Sequence, residues 1–203
     1  MLELDHIAVA ATTLEKGADW VHRALGVAPG PGGQHAHFGT HNRLLGLEDG
    51  LYLEVIAIDP DAPPLGHARW FDLDRFSGAP RIGNWICRTD DLEGAQAALP
   101  GIGAQVPLER GDLRWRMAVP ENGQLPFDDC HPAVIQWDCA RHPAASLPAT
   151  GIALRRLIVC HPHADALRAG LAGQLAEDRV AFEVGPVGLR AEFDTPEGQR
   201  ILG

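Results

Sequence analysis

Short apolar strands, each followed by a cap signal and a helical stripe, recur along this chain and predict its organisation. The first pass opens at residues 4–10, where Ile7 and Val9 give a β-rich run. Thr12 stands three residues before Glu15, the spacing of a capping box. Leu14, Ala18, Val21 and Leu25 then recur at helical intervals, and Gly26 supplies the stop. A Gly/Pro-rich loop over 29–33 leads to strands expected at 42–47 and 51–58. Between them stands Asp49-Gly50, the residue pair of a tight hairpin whose positions favour φ > 0.

A second pass begins with a strand at 84–88. Asp90 lies three before Glu93, a short helix runs to about Leu99, and Pro100-Gly101 ends it. Strands follow at 106–109, 113–120 and 133–137, with Glu121-Asn122-Gly123 as a turn. Residues 59–80, with four prolines, read as the connection between the units. After a link at 143–148, a third pass has a strand at 155–160 and a helix started by Pro162 and striped by Leu167, Leu171 and Leu175. Strands at 180–184 and 188–193 follow. Strands arriving in hairpin succession after each helix predict an α+β fold of repeated βαβββ units, with a third, partial βαββ unit at the C-terminus. The division expected is a domain over 1–143, with units at about 1–59 and 81–138, and a packed unit over 150–203. No GxGxxG follows a strand and there is no P-loop, so nucleotide cofactors have no visible seat.

Composition narrows the partners. The 203 residues carry a net charge of -10 and no basic run, which repels nucleic-acid phosphates and anionic headgroups, so neither nucleic acid nor a membrane is an expected partner. No stretch approaches the ~20 apolar residues of a membrane span, and the N-terminus lacks a basic head and cleavage site, so a cytoplasmic protein is expected. Cys87, Cys130, Cys139 and Cys160 show no CxxC spacing and are expected to be reduced thiols. Cys130-His131-Pro132 and Cys160-His161-Pro162 repeat a tripeptide. Adjacent strand residues face opposite sides, so a Cys–His dyad is disfavoured.

Two polar residues break the apolar pattern of their strands. His6 lies in the first, and Glu54 sits within Tyr52-Leu53-Glu54-Val55-Ile56-Ala57. A carboxylate there is costly unless it is paired, metal-bound or solvated. If the unit curls, both side chains can share its concave face, and imidazole with carboxylate suits zinc, nickel, iron or manganese.

Several segments resemble the glyoxalase-like domain family of the vicinal oxygen chelate superfamily. They are Leu4-Asp5-His6-Ile7, Gly32-Gly33-Gln34-His35, Gly39-Thr40-His41-Asn42, the run from Tyr52 to Ala57, Pro132 to Asp138, and His142-Pro143. The resemblance spans residue 4 to about 143. It implies two βαβββ units in an incomplete barrel around a divalent metal, each unit giving one ligand from its first strand and one from its last. Carried over, His6 and Glu54 match. The second unit offers Asn84 or Trp85 where the family has histidine, and Gln136 as a weak amide ligand.

His35, His37 and His41 crowd the approach to the sheet. Of these, His41 is the expected substitute ligand or general base, and Glu54 the ligand and proton carrier. Thr40 and Asn42 are expected at the substrate; alternatively, Thr40, His41 and Asn42 hold the loop by local hydrogen bonds. Trp85 and Trp137 are expected either as pocket walls for a flat ligand or as core. The resemblance implies a metal-dependent lyase, isomerase or dioxygenase on a small oxygenated metabolite, or a non-catalytic protein that sequesters a small molecule. The third unit has three roles open to it: completing a pseudo-barrel, covering the cleft or forming a homodimer.

Overall fold

A computed structural model describes residues 1–203. The first unit runs β1 (Glu3–Ala10), α1 (Leu14–Leu25), β2 (Gly30–His35), β3 (Thr40–Gly46) and β4 (Tyr52–Ile58). The second runs β5 (Arg81–Arg88), α2 (Leu92–Ala98), β6 (Ala104–Arg110), β7 (Leu113–Val119) and β8 (Ala133–Trp137). Their strands form one curled sheet in the order β2-β3-β4-β1-β5-β8-β7-β6. Each half pairs its first and last strands in parallel, and β1 and β5 join the halves antiparallel. The repeated βαβββ units are those the sequence pattern predicts, and their curled sheet is the incomplete barrel that the family resemblance implies.

Local chemistry explains most boundaries. Helix α1 is capped by Thr13, whose hydroxyl accepts from the Lys16 N–H, one residue later than the Thr12 expected from spacing alone. Gly26 ends it with φ 79° and donates to the His22 carbonyl. Asp91, not Asp90, caps α2. Asp49 and Gly50 both take positive φ between β3 and β4, as their hairpin role requires. The Gly/Pro run expected as a loop is instead the edge strand β2, irregular between Pro31 and Gln34. Glycine is needed there because a Cβ on Gly32 would collide with the Asn42 backbone oxygen.

The period-2 pattern sorts the sheet into two faces. Ile7, Val9, Leu53, Val55, Trp85 and Val134 share the larger core with the helices. Ala8, Ala10, Ile56, Ile86, Met117 and Ile135 form a smaller core on the other, concave face. The connection over 59–80 does more than join the units. Its 3-10 turn (Trp70–Arg75) buries Trp70, Phe71 and Leu73 against that concave face. Phe71 and Asp72 take left-handed φ of 58° and 52° to do so.

The C-terminal unit runs β9 (Ala153–His161), α3 (Ala164–Leu171), β10 (Val180–Val184), β11 (Gly188–Thr195) and a further strand, β12 (Gly198–Leu202). The last strand escapes the sequence reading because its Gly198-Gln199-Arg200 start is polar. Its order, β10-β9-β11-β12, differs from that of the first two units because β9 pairs directly with β10 and β11. Pro162 lies ahead of the helix, whose N-cap is His163. Leu157, Ala191, Phe193 and Leu202 join the core that holds Leu2, Val21 and Trp85, so this second sheet packs on the outer face of the first. No helix is long and apolar enough to cross a membrane.

Candidate active site

The site starts from an irregularity in β1. Leu4 and Ile7 both face the outer core, yet they are three residues apart. Strict alternation cannot do this, and the register between β1 and β5 slips between Leu4 and His6. The slip places Asp5 and His6 together on the inner side. Asp5 is fully buried, and its Oδ1 holds His6 Nδ1 at 2.6 Å. Its Oδ2 accepts from Trp137 Nε1 at 3.0 Å and from His142 Nε2 at 2.9 Å. With Nδ1 held, His6 presents Nε2 to Glu54, 3.6 Å from Oε2, and its ring stacks on Tyr52 with centroids 4.3 Å apart.

Glu54 stands on β4 beside β1, and its Oε1 accepts from Asn42 Nδ2 at 2.5 Å. His35 Nε2 lies 4.0 Å from the same oxygen, while its Nδ1 meets Thr40 Oγ1 at 3.1 Å. Arg110 reaches across from β6, placing Nη1 3.1 Å from His35 Nε2 and 3.2 Å from Asn42 Oδ1. Its stem fits because residue 33 is glycine, where a Cβ would come within 2.5 Å of Arg110 Cδ. These groups line a chamber with Trp70, Phe71, Trp115 and Ile135. Its free interior is about 30 Å³, room for roughly one or two waters. Trp70 Nε1, in the same wall, has no hydrogen-bond acceptor.

The electrostatics follow from burial and pairing. Burial disfavours the His6 cation, but Asp5 and Glu54 outweigh it and raise its pKa to about 9. Burial likewise opposes ionisation of Glu54, and the His6 cation overrides it, giving a pKa of about 2. Asp5 is held well below the usual carboxylate range: burial works against its charge, and hydrogen bonds from His142 and His6 prevail. His35 goes the other way. Burial pushes its pKa down to about 4, so its ring is neutral at pH 7.

The expected site residues separate into two groups. His6, Glu54, Asn42 and Trp137 line the chamber, and Thr40 lies behind it, bonded to His35. His41, Trp85 and Gln136 lie outside it. His41 pairs with Gln34 and Ala57, and faces a shallow groove shared with Leu14 and Arg43, because the inward positions of β3 are its neighbours Thr40 and Asn42. Trp85 sits in the outer core and donates Nε1 to the Cys130 carbonyl at 2.8 Å. Gln136 turns to α2, where Oε1 accepts from the Leu92 N–H at 2.9 Å. The register explains why. In the first half His6 pairs with Tyr52 two residues before Glu54. In the second, Ile86 pairs with Ala133 two residues before Ile135. The counterpart of Glu54 is therefore Ile135, and the second half supplies no ligand.

Sequence reasoning does not single out Asp5, His35, Tyr52 or Arg110 for the site. Asp5 requires the bulge to be known. His35 requires the β2–β3 register, which the Gly/Pro composition of β2 conceals. Arg110 requires the closure of the barrel, which brings β6 to β2.

A model of the glyoxalase-like domain matches residues 4–175, most of the chain and well into the third unit. The chain belongs to the glyoxalase-like domain family. It is thereby a member of the vicinal oxygen chelate superfamily. No curated protein matches it. Among solved structures it is similar to methylmalonyl-CoA epimerase from Mycobacterium tuberculosis, at 19% identity and a TM-score of 0.44, over 70% of this chain and 91% of that one. It is similar also to a variant of Streptomyces coelicolor methylmalonyl-CoA epimerase in complex with 2-nitronate-propionyl-CoA, at 16% identity and a TM-score of 0.45, over 70% of this chain and 100% of that one. Likenesses so distant carry no argument about substrate or mechanism.

Membership in this glyoxalase-like family raises the question of a divalent ion. The donor chemistry fits one. His6 is backed by a carboxylate on Nδ1 and offers Nε2 once it releases the proton held there, His35 is a neutral imidazole and Glu54 is ionised, a two-imidazole, one-carboxylate set. As they stand the three are spread too widely to enclose an ion, and Arg110 lies on the His35 lone pair.

Proposed function

We propose that this glyoxalase-like protein is an isomerase or lyase that moves a proton on a small oxygenated metabolite. The facing of His6 Nε2 and Glu54 Oε2 inside a nearly dry chamber carries this reading. His6, Glu54 and His35 are the residues that would hold a zinc, nickel, iron or manganese ion. When bound, it supplies a Lewis acid that polarises neighbouring substrate oxygens. The chain's own residues do the rest. Asp5 keeps the proton on His6 Nδ1 and sets the aim of Nε2. Asn42 holds Glu54 Oε1, leaving Oε2 towards the chamber as the atom that accepts a proton from a carbon next to a carbonyl. Trp70, Phe71 and Trp115 exclude water around the pair. Residues 1–143 form the catalytic unit in this reading, with 150–203 as a buttress on its outer face.

A second reading has its own support. Ile135 and Trp137 occupy the second half's inward positions, and apolar walls suit a protein that only binds its ligand. Proton exchange separates the two. In deuterated water, with Zn²⁺, Ni²⁺, Fe²⁺ or Mn²⁺, small α-hydroxy and α-oxo acids and esters are followed by NMR for loss of a proton on the carbon next to a carbonyl. The catalytic reading expects exchange on at least one compound, lost by about 10²-fold or more in Glu54→Gln and kept in His41→Ala. Tight binding of a compound with no exchange under any ion favours sequestration.

A further inference from the structure

The inner chamber is too small for any metabolite as it stands, and the residue that closes it also faces outward. Arg110 lines a second, larger cavity of about 260 Å³, walled by Leu44, Leu113 and Leu147 and edged by Arg141 and Asp112. Arg110 is the partition between the two spaces. We propose that this vestibule is a carboxylate subsite in which Arg110 and Arg141 receive the acid group of a short organic anion.

Three observations converge on it. First, arginines in this acidic chain are commonly neutralised, as in Arg69–Asp74, Arg88–Glu3, Arg116–Asp138 and Arg179–Glu177. Arg110 and Arg141 have no such partner: Arg110 meets only the neutral acceptors His35 and Asn42, and Arg141 donates to Ser146 Oγ at 3.0 Å. Asp112, the one acid in the lining, pairs with neither. Second, both bonds of Arg110 use Nη1, so the remaining edge of its planar fork makes no hydrogen bond. A guanidinium edge matches a carboxylate in bidentate fashion, and a carboxylate brings a full negative charge that the neutral acceptors His35 and Asn42 lack. A carboxylate therefore outcompetes the His35 and Asn42 contacts. Third, the side chain leaves the His35 lone pair when it turns to the vestibule, which opens the inner chamber and frees a donor beside Glu54. The leucine walls take a few methylenes, so the anion's oxygenated carbons extend inward to His6 and Glu54. The assignment of substrate class rests on the inner chamber being the reaction site; the anion site itself does not.

The test uses the full chain after chelator treatment, at low salt. Calorimetric titration with succinate, its neutral isostere succinamide and inorganic phosphate is run on the parent, Arg110→Gln, Arg110→Lys and Arg141→Gln. Expected are saturable succinate binding, no succinamide binding, a loss of about tenfold or more in Arg110→Gln and Arg141→Gln, and partial retention in Arg110→Lys. Mn²⁺ binding by Arg110→Gln shows that the inner chamber is intact. Succinate affinity unchanged in both glutamine variants overturns the proposal, as does the absence of binding. Phosphate binding tighter than succinate overturns the carboxylate assignment. Arginine-dependent succinate binding in a protein that neither holds Mn²⁺ nor exchanges protons supports the subsite and sinks the catalytic reading alone.

Discussion

Replacing Asp5 with asparagine tests how the site is held together. Asp5 receives three hydrogen bonds with no solvent contact: Trp137 and His142 on Oδ2, and His6 on Oδ1. Asparagine has one oxygen. If it serves Trp137 and His142, its amide nitrogen faces His6 Nδ1 and must donate to it. His6 then loses its Nδ1 proton and carries one on Nε2, so the nitrogen that faces Glu54 has no lone pair for a metal. If the amide is flipped, its N–H₂ meets two other donors. Losing one member of a buried ion pair costs about 3–5 kcal/mol. Glu54 still faces His6, which argues for the low end, about 3 kcal/mol. At roughly 2–4 °C per kcal/mol for a chain of this length, Tm falls by about 6–12 °C. Divalent-ion affinity falls about 10–100-fold through the lost tautomer. Scanning calorimetry and ion titration at pH 7 read both quantities. A variant that melts within about 1 °C of the parent and binds ions equally well would show that Asp5 neither stabilises the network nor orients His6.

Other outcomes follow from the same geometry. In chelator-treated protein, stability should fall from pH 6.5 to 9, where folded His6 keeps a proton the unfolded chain releases. Denaturant titration should show this decline in the parent and not in His6→Gln; a level profile from 6.5 to 9 in the parent counts against the His6 network. Arg110→Gln removes a positive charge from the His35 lone pair, so it should tighten Mn²⁺ binding several-fold; weaker binding refutes the overlap. Trp85→Ala should cost about 3–5 kcal/mol while leaving ion and succinate affinities unchanged, since this indole belongs to the outer core. A selective loss of ligand binding there would return Trp85 to the pocket.

The fold is legible because it is written in periodicity. Alternating aliphatics in 4–10 and 52–58, the Asp49-Gly50 turn and two helical stripes suffice for repeated βαβββ units. The pair His6 and Glu54 is legible for a related reason, since each interrupts an apolar strand. What the pattern misses is the choice among neighbours. Between His35 and His41, and between Ile135 and Gln136, a shift of register decides which side chain enters the barrel. In the first case that register depends on a strand made of Gly30-Pro31-Gly32-Gly33, which has no strand propensity of its own. It is held by contacts that glycine alone permits, against Asn42 and Arg110. Asp5 shows the same limit, because alternation places it outward and a single bulge turns it in.

A single centre shared by His6 and Glu54 underlies the proposed chemistry, and ion titration is its most direct probe. Calorimetry with Mn²⁺ and Zn²⁺ on purified protein should give one site per chain, abolished in His6→Ala and Glu54→Gln, weakened in His35→Ala, and unaltered in His41→Ala and Gln136→Ala. Equal affinity in the parent, His6→Ala and Glu54→Gln would contradict it.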